Sequence, residues 1–353
     1  MNMRKILKSR IIFLAVINVI TIIAIAVLSV IGHSIASSQK YNFAAERWSQ
    51  EKGGYTQISC YFANDSGFTF ENVDNVRNSI ASSMTNSGVD MNETVIPDSY
   101  YAQLGKFTVT CDRNASSQAE ITAIGGRFFL FRSFNLLKGA YFSENDNMHD
   151  SIIIDRSLAF KLYGSENVIG FPVYLNGVKF VIAGVIAEPQ TKYENECSGD
   201  IPHAYIPYRE ADKLYDKAEI PKNLNCYECI LPEPVDDLAY NTVESVFAEN
   251  YKDKYIIVKN TDRFSSKVRL KHIKSMNRSA VMDKAIELPY WENASRRAEY
   301  DVSILYGIRR ILFVVPLLTL LLMSKNVFRE RHILKQLGLK YIKGFMAMKE
   351  PKR

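Results

Sequence analysis

Two apolar runs bracket this chain, and the first constrains it most. Residues 11–31 read IIFLAVINVITIIAIAVLSVI, broken only by Asn18, Thr21 and Ser29. At about 1.5 Å per residue, a helix of that length spans the roughly 30 Å hydrocarbon layer of a bilayer. The run is longer than the apolar core of a cleavable signal peptide, and the "GHSIASSQ" that follows is a weak cleavage site, which favours an uncleaved anchor. A second run, residues 311–323, reads ILFVVPLLTLLLM and is short for a crossing. Residues 302–308 extend it, provided that Arg309 and Arg310 snorkel outward or face a partner. Pro316 is expected to kink this helix without forbidding it. A buried core helix is the alternative, and the basic residues gathered after Met323 favour the crossing.

Charge distribution gives the orientation. The net charge is +6, but residues 1–10 contribute +4 through Arg4, Lys5, Lys8 and Arg10, and residues 325–353 contribute +7, which leaves the rest of the chain acidic. An acidic middle between basic ends makes no nucleic-acid surface. It matches the positive-inside rule for a plasma-membrane protein with both termini in the cytosol. The expected order is a cytosolic N-terminus (1–10), a transmembrane helix (11–31), an extracytoplasmic domain (33–305), a second transmembrane helix (306–324) and a basic cytosolic tail (325–353). Membrane lipids are partners by construction.

The whole chain is 47% hydrophobic, which excludes a largely disordered protein, and its middle segment shows mixed periodicity. Residues 55–62 alternate, with Ile58, Cys60 and Phe62 on one face, as in a strand. Val73, Val76, Ile80 and Met84 recur at helical spacing, and Phe107, Val109 and Cys111 alternate again within 106–111. This order opens an α+β domain. In "SIIIDRSLAFKLYG", residues 151–164, a β-branched strand leads to Asp155 as helix N-cap, Leu158 and Leu162 on one face, and Gly164 as terminator. Asn176-Gly177 between two β-rich runs predicts a hairpin over residues 173–187, with a bulge at Gly184. Residues 188–225, rich in Pro, Glu and Asn, read as a long loop. A strand is expected at 226–231, a helix at 235–247 and a strand at 255–258. Residues 264–288 read as an amphipathic helix, with Leu270, Ile273, Met276 and Ala280 on one stripe and Lys267, Lys271, Lys274 and Arg278 on the next. That basic stripe is a solvated face or a surface for lipid headgroups or an acidic partner.

Catalytic signatures are missing: the sequence has no phosphate-binding loop, nucleophile elbow, zinc-protease helix or dinucleotide fingerprint. No catalytic, cofactor or metal residue is assigned, and no cofactor is expected. Gly125-Gly126 reads as a tight turn or close backbone contact. Cys226-x-x-Cys229 lacks the second pair that a zinc site needs. Cys60 and Cys111 face inward on two strands that would be neighbours, consistent with either a disulfide or buried thiols, and Cys197 completes an odd count of five. His149 and His203 read as surface-loop residues. Glu194, Glu196 and Asp200 form an acidic loop, either solvated or a weak cation site. Five glycosylation sequons, at Asn64, Asn92, Asn114, Asn277 and Asn293, lie in the outer segment.

Residues 121–189, from "ITAIGGRFF" to "VIAGVIAEP", resemble the MacB-type periplasmic core domain of FtsX-like ABC transporter permeases. The matching pieces come in order: a Phe-rich segment, Leu136-x-x-Gly139 with an aromatic after it, "LAFKLYG", Gly170, and the hairpin ending in "VIAGVI". The resemblance implies an α+β extracytoplasmic domain flanked by two transmembrane α-helices. In "RERHILKQLGL", Arg329, Arg331, Ile333, Leu334, Leu337 and Gly338 fall in a pattern similar to the family's cytosolic R-x-x-E-I-x-x-L-x-x-L-G segment, with His332 where an acid is usual. By that resemblance these six residues would couple to an ABC-type ATPase subunit that binds the ATP. They would make the chain a non-enzymatic permease subunit in efflux or mechanotransmission, working as a homo-oligomer or with another permease. A stiff helix would carry motion through 264–288, with Pro289 and the polar "WENASRRAEYD" as a hinge. The family pattern continues through two further membrane helices that this sequence does not contain. The expectation is therefore a shortened permease, a truncated gene product, or a two-helix binding or sensor module without an ATPase.

Overall fold

The computed structural model describes residues 3–49, 54–91, 95–143, 146, 150–218, 222–271 and 286–347. By its contacts the chain forms two compact units: Ala36–Tyr300, and the segments Met1–Ile35 and Asp301–Arg353 together.

The larger unit is a mixed α/β fold built on one ten-stranded sheet. Its strands are β1 (Tyr55–Phe62), β2 (Asp98–Thr110), β3 (Ser116–Gly126), β4 (Leu136–Gly139), β5 (Ser151–Asp155), β6 (Pro172–Leu175), β7 (Val178–Ile186), β8 (His203–Pro207), β9 (Cys226–Pro232) and β10 (Tyr255–Lys259). They lie in the order β10-β1-β9-β2-β3-β8-β5-β7-β4, and β6 pairs with both β2 and β7. Among the described residues, only the β3/β8 and β5/β7 pairs are parallel.

One face carries the main core, under helices α3 (Val73–Asn86), α5 (Arg156–Tyr163), α7 (Tyr208–Ala218) and α8 (Leu238–Asn250). Val73, Val76, Ile80 and Met84 of α3 are all buried there, as their spacing requires. Each such side chain contributes about 1.5–3 kcal/mol before chain entropy. Asp155 caps α5 by accepting from Leu158 N at 2.7 Å, and Gly164 ends it at φ +70°. The hairpin forms with Asn176 and Gly177 both at positive φ, as a primed turn demands. Ala183 is the extra residue of a bulge, because Ile152 pairs with Ile182 and Ile153 with Gly184.

Several expectations change. The segment 188–225 is no long loop, for it holds α6 (Lys192–Ser198), β8 and α7. Its strand is only five residues long and sits inside the sheet, between β3 and β5. A span that short leaves too few residues for alternation to show. β2 begins at Asp98, eight residues ahead of its readable alternation, because its first part is buried on both faces. His203 starts β8 and is buried, not a surface-loop residue. β9 separates β1 from β2, so Cys60 and Cys111 are not on neighbouring strands. Cys226 and Cys229 point to opposite faces of β9, each into a different cluster, and cannot hold one ion. Of the helix expected over 264–288, α9 (Ser266–Lys271) is present, and residues 272–285 lie outside the described residues, as do His149, Asn92 and Asn277.

The smaller unit pairs α1 (Met3–Ser38) with α10 (Tyr290–Ala347) from Asp301 onward. α10 runs unbroken through Pro316. Three contacts define an antiparallel register. A Cβ on Gly32 would lie 3.3 Å from the Tyr306 ring, Arg309 Nη1 donates to Ser29 Oγ at 3.2 Å, and Thr319 Oγ1 donates to Asn18 Oδ1 at 3.0 Å. Arg309 therefore faces a partner helix, and it also stacks on Tyr306 at 4.6 Å. All three polar interruptions of the first run return hydrogen bonds to their own helix, at Leu14, Ile17 and Ile25 carbonyls. The remaining flanks, such as Val19, Ile23, Phe313 and Leu320, are apolar and more than half exposed, as on a lipid-facing surface.

Candidate coupling site

The second face of the sheet holds polar residues where a core would normally be oily. Strand alternation sends Gln57, Ser59 and Tyr61 of β1, Glu228 of β9, and Ser99 and Tyr101 of β2 to this side, and all six are buried. The covering layer comprises α2 (Ala44–Trp48), α4 (Phe128–Phe131), residues 286–288 and the first turns of α10.

Arg263, in the loop after β10, is the centre of this layer. Nη1 and Nη2 grip Glu292 bidentately at 2.8 Å each, Nε donates to Glu299 at 2.8 Å, and Nη1 also reaches Asn42 Oδ1 at 3.0 Å. Arg296 pairs with Glu292 and Arg269 with Glu299, both at 2.9 Å. Asn42 Nδ2 donates to Ser295 Oγ at 2.9 Å, and Tyr61 Oη donates to Glu292. Gln57 ties the same segment to β1 by accepting from Ala44 N and donating to Tyr41 O, both at 2.9 Å. One arginine thus joins the chain just after α1 to the first turns of α10. Burial by itself would raise the Glu292 carboxyl, but Arg263 and Arg296 outweigh it and hold it below the ordinary value. Burial by itself would lower Arg263, and its two carboxylates drive it well above.

A second buried pair lies beside the first. Arg132 Nη2 donates to Glu228 Oε1 at 2.7 Å, Ser59 Oγ donates to the same oxygen at 2.5 Å, and Asn260 Nδ2 donates to Ser59 Oγ. Arg132 stacks over Trp291 at 4.9 Å and Tyr41 at 5.7 Å. Arg132 Nε and Glu228 Oε2 have no hydrogen-bond partner among the described residues. Ion pairs this deep and incompletely satisfied are costly to bury, and they fix one arrangement more than they add stability. Crevices at Gly125–Phe129 and at Glu188–Thr191 enclose only about 20 and 40 Å³, room for a water or two rather than a substrate.

The polar stretch at 291–301 is therefore not a hinge: it is helical and anchored through Glu292, Ser295 and Glu299. Pro289 directly precedes this helix. The acidic-loop reading resolves into structure as well, since Glu194 completes a capping box with Thr191 and Glu196 pairs with Lys192. Gly125 and Gly126 are the close contacts expected, for added Cβ atoms would lie 2.3 Å from the Tyr100 ring and 2.6 Å from Asp98 O. Arg329, Arg331, Ile333, Leu334, Leu337 and Gly338 lie on helical backbone within α10, and their side chains are outside the described residues. Thirty positions along the sequence separate Glu299 from Arg329.

A mixed α/β domain whose entering and leaving segments run into apolar helices long enough to cross a membrane is the architecture of an ABC transporter permease's periplasmic-type domain. The chain belongs to the family defined by the MacB-like periplasmic core domain, whose sequence pattern matches residues 15–237. The Macrolide export ATP-binding/permease protein MacB of Pasteurella multocida is 25% identical over 108 residues, which cover 30% of this chain and 16% of that protein. The chain thus aligns with about one sixth of that relative. Among solved structures, the periplasmic region of MacB from Actinobacillus actinomycetemcomitans is 16% identical, with a TM-score of 0.40 over 58% of this chain and 89% of that one. The extracellular domain of the noncanonic ABC-type transporter YknZ from Gram-positive bacteria gives 16%, 0.40, 57% and 99%.

Proposed function

We propose that this chain is a permease-type membrane subunit that couples a partner ABC-type ATPase to an extracytoplasmic domain, with both termini in the cytosol. The observation that carries this reading is the Arg263 network, which fastens the start of α10 to the segment leaving α1. α10 continues as one helix from there to Ala347 and includes Arg329, Arg331, Ile333, Leu334, Leu337 and Gly338. In this reading, displacement of the cytosolic end of α10 by an ATPase is passed along the helix toward Glu292 and Glu299. The work would be efflux or mechanotransmission, carried out by a homo-oligomer or together with another permease.

The test is purification of the full chain from its own host membranes in mild detergent, with and without Leu337→Asp plus Gly338→Pro. An ATPase subunit copurifies with the natural chain and is lost from the double variant, while the outer domain stays folded. If no ATPase accompanies the natural chain, the protein acts instead as an anchored binding or sensor module. A reporter fused after Arg353 that proves accessible from outside overturns the orientation.

A further inference from the structure

The two arginines at the head of the second apolar run have opposite surroundings. Arg309 is held against α1 by Ser29 and against Tyr306 by stacking. Arg310 is exposed and has no ion-pair or hydrogen-bond partner among the described residues. Since Ser29 of α1 lies level with Arg309, Arg310 stands about one turn inside the end of the first apolar run. A bare guanidinium at that depth is unfavourable unless it reaches an anion.

The helix stripe around Arg310 fits a particular anion carrier. Phe313, Val314 and Leu317, at i+3, i+4 and i+7, follow it on the same face and are 60%, 47% and 52% exposed. They form an open apolar track about 10 Å long below the charge. On the other side, at i−3, a Cβ on Gly307 would meet no atom within 4 Å, which leaves space beside the guanidinium. A cation at one end of an open apolar track, with room at its head, complements an amphiphile. A soluble anion would satisfy only the charge and an acidic protein only the head.

We propose that this stripe of α10 binds one phospholipid with an anionic headgroup, its phosphate on Arg310 and an acyl chain along Phe313, Val314 and Leu317. The site rests on α10 lying in a membrane and is independent of any ATPase. The test is native mass spectrometry of the full-length protein in detergent, titrated with dioctanoyl phosphatidylglycerol. The natural chain is expected to carry one more phosphatidylglycerol than Arg310→Gln, whose dissociation constant for that last lipid rises at least fivefold. Arg310→Lys restores it to within twofold, and Arg329→Gln with Arg331→Gln leaves it in place. Neither dioctanoyl phosphatidylcholine nor inorganic phosphate at equal concentration displaces it. Equal lipid counts for the natural chain and Arg310→Gln, or displacement by inorganic phosphate, overturn the proposal. Monodisperse protein in detergent-free buffer would remove the membrane reading itself, and loss of ATPase copurification would leave the lipid site untouched.

Discussion

Arg263 illustrates how a single residue can set the position of a helix. Truncating it leaves Glu292, which is 2% exposed, as a buried carboxylate without its bidentate partner. Breaking one side of such a pair costs about 3–5 kcal/mol, whereas replacing both members by apolar groups costs far less. Arg263→Met is therefore expected to lower the unfolding free energy by about 3 kcal/mol or more, and Arg263→Met with Glu292→Met by clearly less than the summed single effects. Denaturant unfolding in micelles followed by Trp291 emission, in a Trp48→Phe background, reads this directly. Additive single effects would show that the residues do not act as a unit. Gly125 offers a separate test at the same scale. Its missing Cβ is required by the Tyr100 ring, and Gly125→Ala should cost about 1–3 kcal/mol through overpacking.

At the scale of elements, the α5 cap ties two strands together. Asp155 accepts from Leu158 N through Oδ1 and from His203 N through Oδ2, both at 2.7 Å, so one carboxylate starts a helix and anchors the head of β8. Asp155→Ala is expected to destabilise the outer domain by about 2 kcal/mol, the sum of a lost cap and an orphaned buried N–H. Hydrogen exchange at both amides should quicken together, and an effect confined to Leu158 would sink the shared-anchor reading. The cap was legible in the sequence because capping is local: Asp155, Leu158, Leu162 and Gly164 carry the whole signal within ten residues. So was the Asn176-Gly177 hairpin. β8 was not, because HAYIP is buried on both faces and shows no alternation. The Arg263 network was equally hidden, since Asn42, Arg263 and Glu292 meet only after the sheet has formed. A faint trace existed in Glu292, Ser295, Arg296 and Glu299, which fall at i, i+3, i+4 and i+7 on α10 and present one polar stripe immediately ahead of an oily run. Such a stripe looks like a linker unless a partner charge is known. The six tail residues rest on pattern alone, and their side chains lie outside what the structure describes.

The whole molecule answers to pH through its buried charges and to the bilayer through its helix pair. Glu292 is held below the ordinary carboxylate value when folded. Its contribution is thus full above about pH 4.3 and is lost as pH falls through the lower folded value. Acid unfolding monitored by Trp291 should begin below that point in the natural chain and lose this steepness in Arg263→Met with Glu292→Met. The antiparallel register of α1 and α10 predicts which positions of the two helices can be joined. Three residues on α1, from Gly32 to Ser29, match three on α10, and the next eleven, to Asn18, match ten, so the alignment holds along the apolar spans. In a Cys197→Ser background the remaining native thiols are buried, and introduced pairs report alone. Oxidation of Asn18→Cys with Thr319→Cys in membranes is expected to give an intramolecular disulfide. Asn18→Cys with Arg309→Cys should not, because ten residues displace the partner by about 15 Å along the helix. Equal cross-linking of the two pairs would mean that the helices slide or splay, and the polar contacts at Ser29 and Thr319 would then be incidental. Selective joining of 18 to 319 would establish a fixed two-helix unit, which any transmission along α10 requires.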